Sequence, residues 1–206
     1  MVAKRVFDFF SALFLLIVLS PVLILTAIGV AIAMGRPVIF RQTRPGRGGK
    51  LFTLYKFRTM RDANKPDGTP LPDGERLTRL GRILRATSVD ELPELYNVLK
   101  GEMSLVGPRP LIVRYLPYYT MREHKRHSVP PGITGWAQVN GRNHASWNDR
   151  LARDVWYVEN WSFWLDIRIL LLTVVVVFKR SGVEVDTQST ALSLDEERCE
   201  VAVQNT

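Results

Sequence analysis

The sequence predicts an α/β or mainly α fold with short strands, attached to an N-terminal membrane helix that breaks at Ser20-Pro21. Three observations carry that expectation. Phe9 to Met34 is a stretch of 26 residues without a charged side chain. Val38 to Gln42 and Leu51 to Arg58 read as extended runs around a Gly/Pro/Arg loop at 43–50. Residues 77–103 are mainly helical in pattern, with Val89, Leu92, Leu95, Tyr96 and Leu99 spaced to line one face.

A straight helix over the first stretch would reach about 39 Å, more than the roughly 30 Å hydrocarbon core of a bilayer. Pro21 lacks an amide hydrogen and its ring crowds the preceding turn, so a bend is expected there; the Ser20 hydroxyl can satisfy a carbonyl that the bend frees. Each half then covers about 16–21 Å. Lys4 and Arg5 precede the stretch, and Arg36, Arg41, Arg44, Arg47 and Lys50 follow it. Basic residues at both ends place both on the cytoplasmic side, which describes a re-entrant hairpin. From the residues alone, a kinked spanning helix stays open. A signal peptide ending near Ala31-Ile32-Ala33 is a weaker alternative, because its apolar core would far exceed the usual ~7–15 residues.

Further along, Gly48-Gly49-Lys50 invites a phosphate-loop reading. It fails, because Arg44 stands where the first glycine belongs and Leu51 where a hydroxyl must meet magnesium. Asp62 to Glu75, with three prolines and two glycines, reads as a loop. Trp156, Tyr157, Trp161, Phe163 and Trp164 precede an apolar run, Ile167 to Phe178, which fits a core strand, a core helix or an interfacial element.

At 206 residues the chain has room for one large domain, or one domain and an appendage. Residues 182–206 hold six acidic residues and one Arg, so residues 1–181 carry 27 basic against 14 acidic side chains, a net +13. The body therefore favours anionic partners such as phosphorylated small molecules, anionic lipid or nucleic acid. The acidic end predicts a disordered tail. A single cysteine, Cys199, excludes a disulfide framework and a cysteine zinc site; a hard cation held by carboxylates remains open.

Ser88-Val89-Asp90-Glu91 matches a helix capping box, although Pro93 argues for a helix that begins nearer Leu92-Pro93. Either way Asp90, Glu91 and Glu94 fall at the positive end of a helix, which lowers a carboxylate's pKa. That would keep Asp90 ionised, fit to attack phosphorus or bind a cation. Pro108-Arg109-Pro110 restricts the backbone of Arg109, and a stiffly held guanidinium fork suits a phosphate, although the same three residues also fit a surface turn with a solvated arginine. Lys56 and Arg58, in a strand-like run with Tyr55 and Phe57, fit a phosphate-binding role and a solvated face equally. The long loop from Pro130 to Arg142 has the composition of a binding loop or a plain connector.

Six stretches in chain order resemble the monotopic bacterial sugar transferases, the small polyprenyl-phosphate phosphoglycosyl transferases. They are KRVFDF at 4–9, Ser20-Pro21, YKFRTM at 55–60, TSVDELPELYNVLKGEMSLVGPRPL at 87–111, PGITGWAQVNGRN at 131–143 and DVWYVENWSFWLDIRIL at 154–170. The resemblance implies transfer of a sugar phosphate from a UDP-sugar to undecaprenyl phosphate, with release of UMP, at the cytoplasmic face of the bacterial inner membrane. It implies Asp90 as the nucleophile of a covalent phospho-sugar intermediate and Glu91 as the ligand of an essential magnesium. Lys56, Arg109, Arg142, Asp154 and Asp166 match positions that bind phosphate or substrate. The implied architecture is monotopic: a re-entrant membrane helix at 1–36 broken at Ser20 and Pro21, a catalytic domain with interfacial helices at 37–181, and the tail at 182–206. Membrane lipid is then a partner and nucleic acid is not. Pro130 departs from the family, whose members often carry a basic residue there, and the multi-helix N-terminal domain of larger members has no counterpart, which reads as a minimal catalytic version.

A rival of another class is a non-catalytic basic membrane module that grips anionic lipid or nucleic acid. It explains the charge and the aromatics, but gives no reason for Asp90-Glu91 beside a stiff arginine. Release of UMP separates the two.

Overall fold

The computed structural model describes residues 2–65, 67–69, 71–140, 146–178 and 193–204. These are mostly helical, with short strands. The charge-free stretch forms two helices, α1 (Val2–Val18) and α2 (Ser20–Met34), bent by 63° at Leu19. Pro21 sits in the first turn of α2, where its missing amide costs nothing. The Ser20 hydroxyl donates to the Ile17 carbonyl at 2.7 Å, the compensation expected of it. No single described helix is long and apolar enough to cross a membrane.

Both extended runs are strands. β1 (Ile39–Pro45) and β2 (Leu51–Phe57) pair antiparallel, in a register that sets Phe40 opposite Lys56 and Arg44 opposite Phe52. Gly48 and Gly49 take positive φ at the hairpin tip, where a side chain would be strained. After α3 (Asp73–Arg76), α4 (Arg79–Thr87) is capped by Thr78, whose hydroxyl accepts the Gly81 amide at 2.9 Å. α5 (Glu94–Lys100) leads into β3 (Ser104–Val106), which pairs parallel with β4 (Gly132–Thr134). α6 (Trp136–Val139), α7 (Trp147–Glu159), α8 (Phe163–Phe178) and α9 (Leu194–Gln204) follow.

The main core gathers Phe52 and Leu54 of β2, Leu95 and Val98 of α5, Leu105 and Val106 of β3, Tyr157 of α7 and Ile169 of α8. α1 is bolted to it by polar contacts. Arg5 donates to the carbonyls of Val98 and Leu99 at the end of α5, and Lys4 pairs with buried Asp166 of α8 at 2.5 Å. Tyr157 Oη and Trp161 Nε1 also donate to Asp166, at 2.7 and 3.1 Å.

Three expectations change. Ser88 does not cap a following helix: it takes φ 57° and its amide closes α4 instead, so the chain reverses before Asp90. Tyr96 leaves the predicted apolar face and is 52% exposed, edge-on to Tyr55, because the break at 88–93 resets the helical phase. The described end of the acidic segment is helical. There Leu194 is buried against Tyr115 and Tyr119, Arg198 bonds Glu123 at 2.7 Å and Arg114 pairs with Asp195 at 3.2 Å, while 182–192 and 205–206 lie outside the described residues.

Candidate active site

The site forms where β2, the turn before α5 and the segment after β3 converge. Asn97, fully buried in α5, accepts the Tyr55 amide at 3.2 Å and donates to the Thr53 carbonyl at 2.7 Å and to Glu102 at 2.8 Å. It thereby ties α5 to β2 and brings Lys56 to the acidic turn. Lys56 Nζ lies 2.7 Å from Glu91 Oε1 and 3.1 Å from Glu94 Oε1. Arg109 Nη2 lies 2.6 Å from the same Glu91 oxygen, with Nη1 3.5 Å from Oε2.

Arg109 is held by its whole neighbourhood. The Pro108 carbonyl accepts the Gly132 amide at 3.0 Å, the Arg109 carbonyl accepts Arg126 Nη2 at 2.6 Å, and the Pro110 carbonyl accepts Arg44 Nη1 at 3.3 Å. Gly132 has to be glycine, since a Cβ there would lie 2.0 Å from the Gly107 amide nitrogen.

Asp90 occupies a 3-10 turn, Val89–Glu91, ahead of α5 rather than in its first turn. It is 8% exposed, and no hydrogen bond or ion pair reaches its carboxylate among the described residues. Burial, helped by the neighbouring Glu91 charge, raises its pKa to about 6 against the pull of Lys56, Arg109 and Arg85. This overturns the expected lowering: desolvation outweighs the helix end. Asp90 is still mainly ionised at neutral pH. Burial also raises Glu94, to about 7, with Lys56 opposing and Glu91 reinforcing. For Glu91, burial is more than offset by Arg109 and Lys56, which hold it well below the usual carboxylate range.

Thus Lys56, Asp90, Glu91 and Arg109, singled out from sequence, come together. Asp154 and Asp166 do not join them. Asp154 is buried against Arg126, with Nη2 at 2.7 Å and Nε at 3.1 Å, and among the described residues it reaches the site through the bond from Arg126 to the Arg109 carbonyl. Asp166 belongs to the buried network that anchors α1. Arg142 lies outside the described residues. Sequence reasoning missed Glu94 as a contact of Lys56, read Arg44 only as a flanking charge, and missed Asn97 and Arg126 altogether. Asn97 shares its side of α5 with Glu94 and Lys100, one turn away on either hand, so nothing local in the sequence marked it.

Among the described residues no three His, Cys, Asp or Glu side chains converge as a metal cage. Magnesium commonly takes one or two carboxylates and completes its shell with water and substrate phosphate. Among the described residues Glu91 Oε2 has one long contact, at 3.5 Å, and keeps acceptor capacity for such a cation. The donor set therefore fits a substrate-completed site.

A family model described as "Bacterial sugar transferase" matches residues 1–180. An uncharacterized sugar transferase of Bacillus subtilis (strain 168), EpsL, is 54% identical over 191 residues, covering 93% of this chain and 95% of that protein. The UDP-glucose:undecaprenyl-phosphate glucose-1-phosphate transferase of Caulobacter vibrioides is 43% identical over 181 residues, 83% of this chain and 68% of its own length. The undecaprenyl-phosphate galactose phosphotransferase of Salmonella typhimurium is 42% identical over 196 residues, 87% of this chain and 41% of its own. The chain thus spans nearly all of the first relative and under half of the last.

Proposed function

The chain belongs to the bacterial sugar transferase family, and on that premise we propose that it transfers a sugar phosphate from a UDP-sugar to undecaprenyl phosphate in glycoconjugate or polysaccharide assembly. The observation that carries the reading is a buried Asp90, unpaired among the described residues, next to a Glu91 held by Lys56 and Arg109. Phosphoryl transfer needs a nucleophile and fixed positive charge, both of which this arrangement supplies.

In this reading an Asp90 oxygen attacks the sugar-linked phosphorus of the UDP-sugar, the bond to the UMP oxygen breaks, and UMP leaves as the anion. The aspartyl phospho-sugar is then attacked by a phosphate oxygen of undecaprenyl phosphate, which forms the lipid diphosphate sugar and returns the Asp90 carboxylate. Arg109, stiff between two prolines, orients the diphosphate, and Lys56 sets the position of Glu91. Magnesium held by Glu91 would supply further neutralisation of the phosphate charge.

The lipid acceptor requires access to a bilayer. Phe10, Phe14, Ile17, Leu25, Ile28 and Ile32 of the bent pair are exposed, as are Trp164 and Leu171 of α8. So much exposed apolar surface fits a re-entrant segment and an interfacial helix at the cytoplasmic face of the inner membrane. Incubating purified protein with a panel of UDP-sugars and undecaprenyl phosphate tests the function. UMP and a lipid-linked sugar phosphate are expected with at least one donor, whereas lipid binding without UMP release from any would favour the non-catalytic module.

A further inference from the structure

Beside the acidic turn lies a cavity of about 60 Å³, lined by Arg44, Leu54, Lys56, Glu94, Arg109 and Pro110. Its three cations differ in what they already do. Lys56 is engaged by Glu91 and Glu94, and Arg109 by Glu91. Among the described residues Arg44 has no carboxylate partner. Its Nη2 donates to Gln42 Oε1 at 2.5 Å and its Nη1 to the Pro110 carbonyl at 3.3 Å, both neutral acceptors, while buried Nε has none.

Glu94 across the cavity acts on its charge, but a half-sunk guanidinium that is paired directly with no carboxylate among the described residues is an incomplete arrangement, since neutral acceptors fix its direction without cancelling its charge. Gln42 and Arg44 share one face of β1 with Phe40, by the alternation of a strand. That is the face on which Lys56 lies opposite Phe40 across the hairpin. The bond to Pro110 couples this strand to the stiff segment carrying Arg109. We propose that Arg44 is the anion-receiving group of a phosphoryl subsite in this cavity, taking a phosphomonoester group of a substrate or product while Lys56 and Arg109 remain engaged with the carboxylates. The subsite lies at the site described above, so its role in turnover rests on the proposed transfer reaction, but its affinity for phosphate does not.

The test is a binding titration of the 206-residue chain in detergent, with Arg44→Gln compared to the original. The probes are UMP, uridine, inorganic phosphate and undecaprenyl phosphate. Expected is phosphate-dependent binding, with uridine much weaker than UMP, and at least a tenfold loss of affinity in Arg44→Gln for a phosphate-bearing probe. Loss confined to UMP assigns the subsite to the nucleotide, and loss confined to undecaprenyl phosphate assigns it to the acceptor. Unchanged affinity for every probe overturns the proposal. Should Arg44→Gln not fold, Arg44→Lys is read instead: it keeps the charge but loses the fork, so affinity should fall several-fold, and an unchanged value has the same overturning force. Binding needs no turnover, so a protein that binds phosphate through Arg44 yet releases no UMP would overturn the proposed function alone.

Discussion

Arg126 donates a 2.6 Å hydrogen bond to the main-chain carbonyl of Arg109 while its guanidinium is paired with Asp154. Both charges are buried, so the pair fixes the backbone from which the Arg109 side chain reaches Glu91. Asp154 thus supports the Arg109 backbone at one remove, which predicts a positioning role.

Asp154→Asn should lower kcat by up to about 10²-fold through misplacement of Arg109. Breaking a buried pair should also cost about 3–5 kcal/mol of stability. Steady-state kinetics alongside thermal unfolding checks both. Stability lost with kcat retained would make Asp154 structural only.

Glu91→Gln should lose most activity, because the amide keeps the shape but removes the charge that engages Lys56 and Arg109 and would hold magnesium. EDTA should abolish UMP release and added magnesium restore it. Full activity in EDTA would exclude a metal requirement.

The bend at Leu19 and the basic residues at both ends predict that residues 2 and 36 lie on the same, cytoplasmic side. A cysteine introduced at position 2 should resist a membrane-impermeant thiol reagent in intact cells. Labelling there would indicate a span instead.

His127 is buried beside Tyr119, and burial, with Arg126 adjacent, lowers its pKa to about 4 from 6.5. The fold prefers neutral imidazole, so this contribution is complete above pH 6.5 and is lost as pH falls towards about 4. Between those values the Tm of the original protein should fall more steeply than that of His127→Gln. Parallel curves would contradict this.

Much was legible in the sequence because local rules decide it. Pro21 dictates the helix break, the extended runs at 38–42 and 51–58 become β1 and β2, and Pro108 and Pro110 stiffen Arg109. What was not legible depends on distant partners. Asp154 and Asp166 look alike as acidic residues among aromatics, and only packing shows that one faces Arg126 and the other Lys4, Tyr157 and Trp161. Asp90 was expected to have a lowered pKa from its place in the chain, yet its burial comes from the reversal at Ser88 and the tertiary fold around it.

The most direct measurement is the intact mass of the protein after incubation with a UDP-sugar alone, without lipid acceptor. Attack by Asp90 predicts a gain equal to one sugar phosphate, stoichiometric UMP release and parallel lines in two-substrate kinetics. Asp90→Asn should keep the fold, show no adduct and lose turnover by orders of magnitude. No adduct on the original protein, together with intersecting kinetic lines, would contradict the covalent route and leave direct transfer to the lipid, with Asp90 acting as a base or metal ligand.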